Sequence, residues 1–337
     1  MSESGSRARS LGGWLLCGAT LAALPAAADD EARLWLASMG RALATANYQG
    51  ELLHLANGSG ERLRILHRVR DGRVTERLVN LSGNGRELLR NDSEVQCYLP
   101  DEHKVVVEAY DEHGPLLGTL PDFAEPLEDN YRVTIVGRQH SALGGNARII
   151  ALTPKDAYRF GYRVWIDERS RMPVQTDLCD ADGRLLEQVV FTSLLVGAVL
   201  PDAAFRPEVD ATGFTWLRQP HSELHAADAA MPWLLQRLPP GFRLRSSAEH
   251  RLPGSVQPVT HLVLSDGLAS VSVFIEQPPA PPRQAQEGEG RIGSAFAYSR
   301  IVAGHQVTAV GEVPRATVQF IATGVVPALS LLQPRAP

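Results

Sequence analysis

The chain has 337 residues, a formal net charge of −5 and a hydrophobic content of 44%. This acidic balance argues against nucleic acid as a partner, because proteins that bind nucleic acid usually present a basic face. The hydrophobic content is typical of a globular protein, and the length predicts about two domains.

The N-terminus has the layout of a cleavable secretory signal. Two arginines precede the apolar run 11–24, and Ala26 and Ala28 occupy the small-residue positions before a cleavage site. A membrane anchor would need about 20 apolar residues, and this run is shorter. We therefore predict that the chain is exported and that the signal peptide, residues 1–28, is removed.

A helix and then a series of short strands are predicted for the first half of the mature chain. Leu34, Trp35, Met39 and Leu43 recur at helical spacing within residues 30–46. Turns rich in Gly, Asn and Asp then separate short strands, which indicates an antiparallel meander. The predicted strands are 51–56, 64–69, 74–81, 86–90, 95–99, 105–109, 131–136 and 147–153.

Residues 114–129 form a long apolar connection within this meander. Three prolines prevent a continuous helix, and a loop of this length usually covers something. Two interpretations stay open: a lid over the mouth of the sheet, or ordinary packing of a crossover against it. The lid candidates are Leu116, Leu117, Leu120 and Phe123.

Residues 162–191 carry the most informative pattern in the chain, which is that of three antiparallel strands joined by two tight turns. The second strand opens at Met172 after an Asp-containing turn. Asp182 and Gly183 then form a strong hairpin signal, because both residues tolerate a positive φ. The third strand runs to Phe191.

Cys97 and Cys179 both lie in predicted strands of the mature chain. A pair of cysteines in an exported protein could form a disulfide. Two buried, unreactive thiols are the alternative, since cysteine is among the most buried side chains. The sequence leaves both alternatives open, because it does not show which strands are neighbours.

A change in composition marks the end of the first domain, which we place at residues 29–218. Residues 219–230 are polar, small and aperiodic, so we predict a linker there. A second domain follows at residues 231–325, with a Pro-, Gly- and charge-rich stretch at 277–290 that predicts a disordered loop. Its predicted elements are strands at 242–250, 259–264, 269–275, 295–302 and 306–311, and a closing helix at 314–322.

The order of motifs resembles that of the RseB/MucB family, which are periplasmic regulators of the sigma-E/AlgU envelope-stress response. Residues 162–191 resemble the second half of the lipoprotein-carrier sheet found in that family. The second domain adds further motifs in the family's order: Trp233, Leu238-Pro239-Pro240-Gly241-Phe242, Ser265-Asp266-Gly267-Leu268 and Gly311-Glu312-Val313-Pro314. The resemblance implies an α+β fold, with an N-terminal lipoprotein-carrier-like antiparallel half-barrel and helices, plus a smaller C-terminal α+β domain.

The sequence contains no recognisable motif for catalysis or metal binding. It has no Gly-x-Ser-x-Gly elbow, no His-Glu-x-x-His and no phosphate loop. His221 and His225 have helical i,i+4 spacing, but they lie in the predicted linker with no third ligand nearby. We therefore predict a protein that is not an enzyme and that needs no metal or cofactor.

An antiparallel sheet with one apolar face must cover that face, either with its own core or with the acyl chains of a ligand. Alternation along the strands predicts which side chains point inward. The same alternation builds any packed sheet, whereas the family resemblance favours a lipid cavity. The cavity candidates are Ile65, Val69, Val133, Ile135, Val164, Ile166, Val189 and Phe191.

The second domain carries cations and aromatic side chains close together in sequence. Arginine and aromatic residues dominate the binding energy of protein interfaces, so this segment could hold an acidic partner. A solvated edge strand protected by its charges is the alternative. The partner-binding candidates are Trp233, Arg237, Phe242, Arg243, Arg245 and Arg251.

The resemblance implies a regulatory binding protein in the periplasm. Its partner would be the periplasmic domain of a membrane-spanning anti-sigma factor, which it would protect from regulated proteolysis. Lipid, lipoprotein or lipopolysaccharide fragments would release that partner, and a homo-oligomer stays open. The alternative is a periplasmic lipid or lipoprotein carrier, although a simple carrier has no need for residues 231–325.

Overall fold

The computed structural model describes residues 25–56, 58–83, 85–109, 127, 129–218, 232–250, 258–277 and 287–328. They form two parts, which we call the N-terminal unit (25–218) and the C-terminal unit (232–328). The lid candidates, the predicted linker, Arg251 and residues 1–24 of the predicted signal peptide lie outside the described residues.

The N-terminal unit consists of one long helix and one large sheet. Helix α1 spans Pro25–Thr45. The strands β1 to β12 are, in chain order, Tyr48–Ala56, Ser59–Arg70, Arg73–Asn80, Glu87–Arg90, Glu94–Leu99, Lys104–Ala109, Tyr131–His140, Asn146–Pro154, Gly161–Asp167, Pro173–Cys179, Leu185–Val196 and Thr215–Arg218. Their order across the sheet is β12-β6-β5-β4-β3-β2-β1-β11-β10-β9-β8-β7.

This sheet is the predicted meander, and its two halves are joined through β1. Consecutive strands pair antiparallel on each side, and the pairing of β1 with β11 connects the halves, with Leu52 opposite Phe191. The predicted three-stranded pattern is confirmed as β9, β10 and β11, with Gly183 at φ 78° in the second turn. β12 was not predicted; it is a four-residue edge strand parallel to β6.

One face of the sheet is covered by α1 and forms the core of the N-terminal unit. Helical spacing places one stripe of α1 against the strands. Of the four predicted positions, Trp35, Met39 and Leu43 lie in this stripe, whereas Leu34 is 67% exposed and lies outside it. One buried cluster contains Ala32, Leu36, Met39, Val133, Ile150, Leu152, Val164 and Ile166. A second contains Tyr48, Leu52, Ile65, Leu78, Met172, Val189 and Phe191, against which Ala42 and Leu43 of α1 pack.

A buried polar group interrupts the apolar face between β1 and β4. The Glu76 carboxylate lies 3.1 Å from Arg90 Nη1 and 3.7 Å from His67 Nε2. The Tyr48 ring stacks on the His67 ring with 4.7 Å between centroids. Burial lowers the pKa of His67. Opposite charges therefore compensate one another here, as a buried carboxylate requires.

The C-terminal unit is a six-stranded sheet packed against one helix. The strands β13 to β20 and helix α2 are, in chain order, Trp233–Leu235, Arg243–His250, Val259–Ser265, Ser270–Glu276, Gly288–Ile292, Ala295–Val302, His305–Gly311, α2 at Arg315–Gly324 and Val325–Pro327. The sheet order is β14-β15-β16-β19-β18-β17, and β13 pairs with β20 separately. The predicted closing helix is confirmed as α2. Neither described helix has the length and apolarity required to span a membrane.

Two parts of the C-terminal unit differ from the predictions. The end of the predicted disordered loop is ordered, because Gly288–Ile292 forms β17 and pairs with β18. A glycine-rich segment has a low strand propensity, but the open edge of β18 supplies hydrogen-bonding partners for its backbone. β13 and β20 were missed because strands of three residues leave no periodicity to read.

Cys97 and Cys179 are free thiols in the structure. Cys97 lies on β5 and Cys179 on β10, and five strands separate β5 from β10 in the sheet. The possible disulfide is therefore not formed, and the alternative of two unpaired thiols is the one that the structure contains. Burial raises the pKa of both thiols, which makes them poor nucleophiles.

A substitution at Phe191 measures how much the packing of the covered face contributes to the free energy of unfolding. Replacing Phe191, which is 2% exposed, by Ala should lower the free energy of unfolding by roughly 3–5 kcal/mol, because it leaves a cavity between β1 and α1. Urea unfolding followed by circular dichroism measures this change. Leu195→Ala on the same strand, where the side chain is 55% exposed, is the matched control and should change stability by less than about 0.5 kcal/mol. Equal effects would contradict the assignment of this face as the core.

Candidate functional site

The two units are joined by a buried ion pair. Arg159 lies in the loop between β8 and β9, and Asp266 lies in the turn between β15 and β16. Arg159 Nη1 is 2.5 Å from Asp266 Oδ2, and both side chains are 0% exposed. Arg159 also donates to the Asp156 carboxylate at 3.0 Å and to the Pro240 carbonyl oxygen. One guanidinium therefore connects its own loop to two segments of the C-terminal unit.

The Ser-Asp-Gly-Leu motif explains why Asp266 can serve this pair. Asp266 Oδ1 accepts hydrogen bonds from the backbone N–H groups of Leu268 and Ala269, at 2.9 and 2.7 Å. This is the local turn that Asp side chains favour. Oδ2 is thereby turned towards Arg159, with the Tyr131 hydroxyl 3.4 Å away. Burial and the neighbouring Asp266 charge raise the pKa of Tyr131, so its hydroxyl keeps its proton.

Aromatic rings and close backbone contacts surround the pair. The Arg159 guanidinium lies 5.3 Å from the centre of the Phe242 ring and 5.6 Å from that of Tyr131, within the range of a cation–π contact. Gly241 has φ +81°, and a Cβ atom there would collide with Asn130 of the N-terminal unit. Its lack of a side chain thus allows the close approach of the units.

A second polar contact between the units contains two carboxylates. Glu187 of β11 lies 2.9 Å from His54 Nε2 of β1. From the C-terminal unit, Ser294 Oγ donates to Glu187 Oε2 at 2.7 Å and contacts Glu312 Oε1. Two acids, one imidazole and one hydroxyl therefore meet where the units touch, and we call these four side chains the carboxylate cluster.

The carboxylate cluster shifts the pKa values of its members in different directions. Burial, and then the adjacent Glu187 charge, raise the pKa of Glu312 from 4.5 to about 7. The hydrogen bond to Glu187 raises the pKa of His54 in spite of burial. Burial opposes ionisation of Glu187, but bonds from His54, Glu312 and Ser294 lower its pKa. A protonated Glu312 beside an ionised Glu187 and a cationic His54 leaves the cluster without net charge.

An apolar side chain of the C-terminal unit completes the core of the N-terminal unit. Leu268 belongs to the same buried cluster as Tyr162 and Leu178, and Phe296 packs against the cores of both units. Beside this contact lies a cleft of about 550 Å³. Its walls include Phe160, Phe296 and Arg315. The two units therefore share a core as well as the two polar contacts.

The structure places the lipid-cavity candidates in packed protein. Six of them are buried beneath α1 and its neighbours: Ile65, Val133, Val164, Ile166, Val189 and Phe191. Ile135 is partly buried against the same cluster, and Val69 is partly exposed. Six of the eight side chains are thus buried on the covered face, and Ile135 packs against the same cluster. In this structure the protein's own side chains cover the face, so acyl binding there stays a proposal.

The partner-binding candidates separate into core residues and surface residues. Trp233 and Phe242 are 6% and 4% exposed and belong to the core of the C-terminal unit. Their rings fill that core, and their role as apolar anchors for a partner stays a prediction. Arg243 and Arg245 are exposed on the edge strand β14. Arg237 lies over the Phe320 ring and donates to Thr323 Oγ1 at 2.9 Å.

Sequence reasoning missed the residues that join the units. Arg159 stands in an ordinary loop sequence and carries no motif. Asp266 and Glu312 belong to motifs that supported the family resemblance, but nothing indicated that Glu312 would meet Glu187. No group of three or more His, Cys, Asp or Glu that could hold a metal ion occurs among the described residues.

Comparison with known proteins identifies the family. The profile of the MucB/RseB N-terminal domain matches residues 31–209, and that of the MucB/RseB C-terminal domain matches residues 227–326. The chain belongs to the MucB/RseB family. This confirms the resemblance, and the observed large open antiparallel sheet with a smaller C-terminal sheet confirms the predicted α+β fold class.

The relatives are regulatory proteins of known sigma factors. The sigma factor AlgU regulatory protein MucB of Pseudomonas aeruginosa is 32% identical over 320 residues, which cover 93% of this chain and 96% of that protein. The sigma-E factor regulatory protein RseB of Escherichia coli is 26% identical over 320 residues, or 92% and 95% of the two chains. A solved structure of the Pseudomonas aeruginosa MucA/MucB complex is similar with a TM-score of 0.68, at 30% identity over 88% of this chain and 99% of that one.

Removal of the Arg159 charge tests the first contact. Arg159→Ala leaves the buried Asp266 carboxylate without its cation and should lower the free energy of unfolding by roughly 3–5 kcal/mol. The double variant Arg159→Met, Asp266→Asn removes both charges and should cost less than the single variant, since no charge is left uncompensated. Urea unfolding measures both.

Arg138→Ala is the matched control for this experiment. Arg138 pairs with Glu168 at 2.6 Å, but the Arg138 side chain is 55% exposed, so the free energy of unfolding should change much less than in Arg159→Ala. If the double variant is less stable than Arg159→Ala, the loss of stability in the single variant does not come mainly from the uncompensated Asp266 charge.

Proposed function

We propose that this protein is a periplasmic negative regulator that binds the periplasmic domain of a membrane-spanning anti-sigma factor. The observation that carries the proposal is similarity over nearly the whole chain, both units included, to sigma-factor regulatory proteins. One such relative has been solved together with MucA. We further propose that the chain reaches the periplasm through its signal peptide, residues 1–28.

The edge strand β14 is the proposed docking surface. An edge strand offers unpaired backbone N–H and C=O groups to an extended segment of another chain. Arg243 and Arg245 project from this strand as exposed cations. Together these features favour an extended, acidic segment of the partner. A segment held against β14 would be withheld from a protease, which is how binding would protect the anti-sigma factor from regulated proteolysis.

Lipid release follows from the way the covered face is filled. α1 and Leu268 occupy the space over the sheet, so an acyl chain can enter only if one of them moves. Each buried methylene contributes about 0.8 kcal/mol, and a few acyl chains suffice to compensate for the displacement. Movement of Leu268 would disturb the contact between the units. Lipid and partner would then favour different arrangements of the same two units, which is the requirement for coupled binding.

Calorimetry of the mature chain with the periplasmic segment of the host's anti-sigma factor tests this function. We expect saturable binding that added lipopolysaccharide weakens. The double variant Arg243→Glu, Arg245→Glu reverses the charge of the docking surface and should weaken binding by about tenfold or more.

Arg169→Glu provides the control, because Arg169 is an exposed arginine in the turn after β9 of the N-terminal unit. This variant should bind the anti-sigma-factor segment as tightly as the unaltered protein does. Equal loss in both variants would assign the effect to overall charge rather than to β14. If the protein does not bind the segment but lipid co-purifies with it, the result favours a carrier function over regulation. If the protein neither binds the segment nor co-purifies with lipid, the proposal is overturned altogether.

A further inference from the structure

The carboxylate cluster is the feature of the interface that the proposed function does not use. Glu187 and Glu312 come from different units, share the Ser294 hydroxyl, and line a small cavity together with Thr176. Two ionised carboxylates cannot remain this close in a buried site without a large electrostatic cost. The contact therefore depends on how many protons the cluster holds.

We propose that the carboxylate cluster is a proton-controlled latch between the two units: proton uptake closes this end of the interface, and proton loss opens it. The geometry that supports this proposal is the position of the acids on opposite sides of the contact, Glu187 on β11 and Glu312 directly after β19. Separation of the units at this point moves the acids apart and gives both access to water. The proposal does not depend on which partner or lipid the protein binds.

Among the residues that the structure describes, His54 contacts the acids directly, with Nε2 at 2.9 Å from Glu187. The titratable and charged groups on the packed elements are Glu187 on β11, His54 on β1, Glu61 on β2 acting on His54, Tyr162 on β9, Arg291 on β17 and Arg315 on α2. Arg315 pairs with Glu289 at 2.6 Å, and both Arg291 and Arg315 lie over the Phe296 ring. β10 faces the cluster with the uncharged Thr176 and Leu178.

Glu312, which lies across the contact from Glu187, sets the direction of the pH effect. Glu312 has a raised pKa of about 7 in the closed interface, so its ionised form disfavours closure, and this penalty grows as the pH rises from about 4.5 through about 7. His54 also has a raised pKa, first through its hydrogen bond to Glu187 of the same unit, so most of the effect of its proton is present whether the contact is closed or open. Acidification therefore favours the closed contact and alkaline pH the open one.

The ion pair of Arg159 and Asp266 does not share this behaviour. Its two groups carry opposite charges and contact each other directly, so their close approach does not require a proton between them. The interface is thus expected to stay joined at the ion pair while the other end opens. A local probe at the cluster is required to detect this movement.

A cysteine at position 176 provides that probe. Thr176 is 4% exposed and lines the cavity beside Glu187 and Glu312, so a thiol there reacts only when the contact opens. The experiment uses the full mature chain with Cys97→Ala, Cys179→Ala and Thr176→Cys. The labelling rate with a thiol reagent is divided by the rate of the same chain in urea at the same pH, which removes the pH dependence of the thiol itself.

The expected result is that protection of the thiol falls by on the order of tenfold or more between about pH 6 and about pH 9. Glu312→Gln keeps a hydrogen-bonding side chain of the same shape without the charge, and it should make the protection independent of pH. Glu289→Gln, which alters an exposed carboxylate of the same unit, should follow the parent protein. Constant protection in the parent, or the same fall in Glu312→Gln, would overturn the latch.

A second measurement uses the unaltered protein and does not require any variant to fold. Exposed carboxyl groups are almost fully ionised above about pH 6, so an infrared carboxylic-acid C=O band that persists there and disappears by about pH 9 reports a buried, protonated acid. We expect this band in the mature protein. Its absence at about pH 6 would overturn the proposal by itself, because the latch requires Glu312 to hold its proton at that pH.

Discussion

The buried ion pair between Arg159 and Asp266 is the contact on which the arrangement of the two units depends. Both side chains are removed from water, so neither charge can lose its partner without a cost of several kcal/mol. The pair also positions the other contacts. Arg159 holds the Pro240 carbonyl, and the Asp266 turn carries Leu268 into the core of the N-terminal unit. A single polar interaction thereby connects the apolar packing of both units.

The two ends of the interface differ in their electrostatics. At the ion pair, opposite charges compensate one another directly. At the carboxylate cluster, Glu187 and Glu312 repel each other unless a proton separates them. The contact at the ion pair does not require a proton, whereas the contact at the carboxylate cluster does. Such an interface suits a binding protein whose affinity changes, because small free-energy differences shift the populations of its arrangements. The covered face of the sheet is filled by the protein's own side chains.

Predictions that rest on local pattern agree well with the structure. The helical spacing of Leu34 to Leu43 corresponds to α1, and residues 162–191 form three neighbouring strands as the alternation and the Asp182-Gly183 turn indicated. Predictions that required knowledge of the surroundings were less accurate. Trp233 and Phe242 have the composition of interface anchors, yet they fill a core. β17 has little intrinsic strand propensity and forms because β18 offers an edge.

Most of the strand and helix pattern, and through spaced motifs the family, could be predicted from the amino-acid sequence alone. These properties are encoded within short segments, where period and turn chemistry act between near neighbours. Only the tertiary structure decided which charged groups meet. Arg159 and Asp266 are 107 residues apart, and the approach of Glu187 to Glu312 depends on how two separately folded sheets are placed. An ion pair between distant segments has no sequence period, because its energy depends on distance and burial, which exist only after the units have packed.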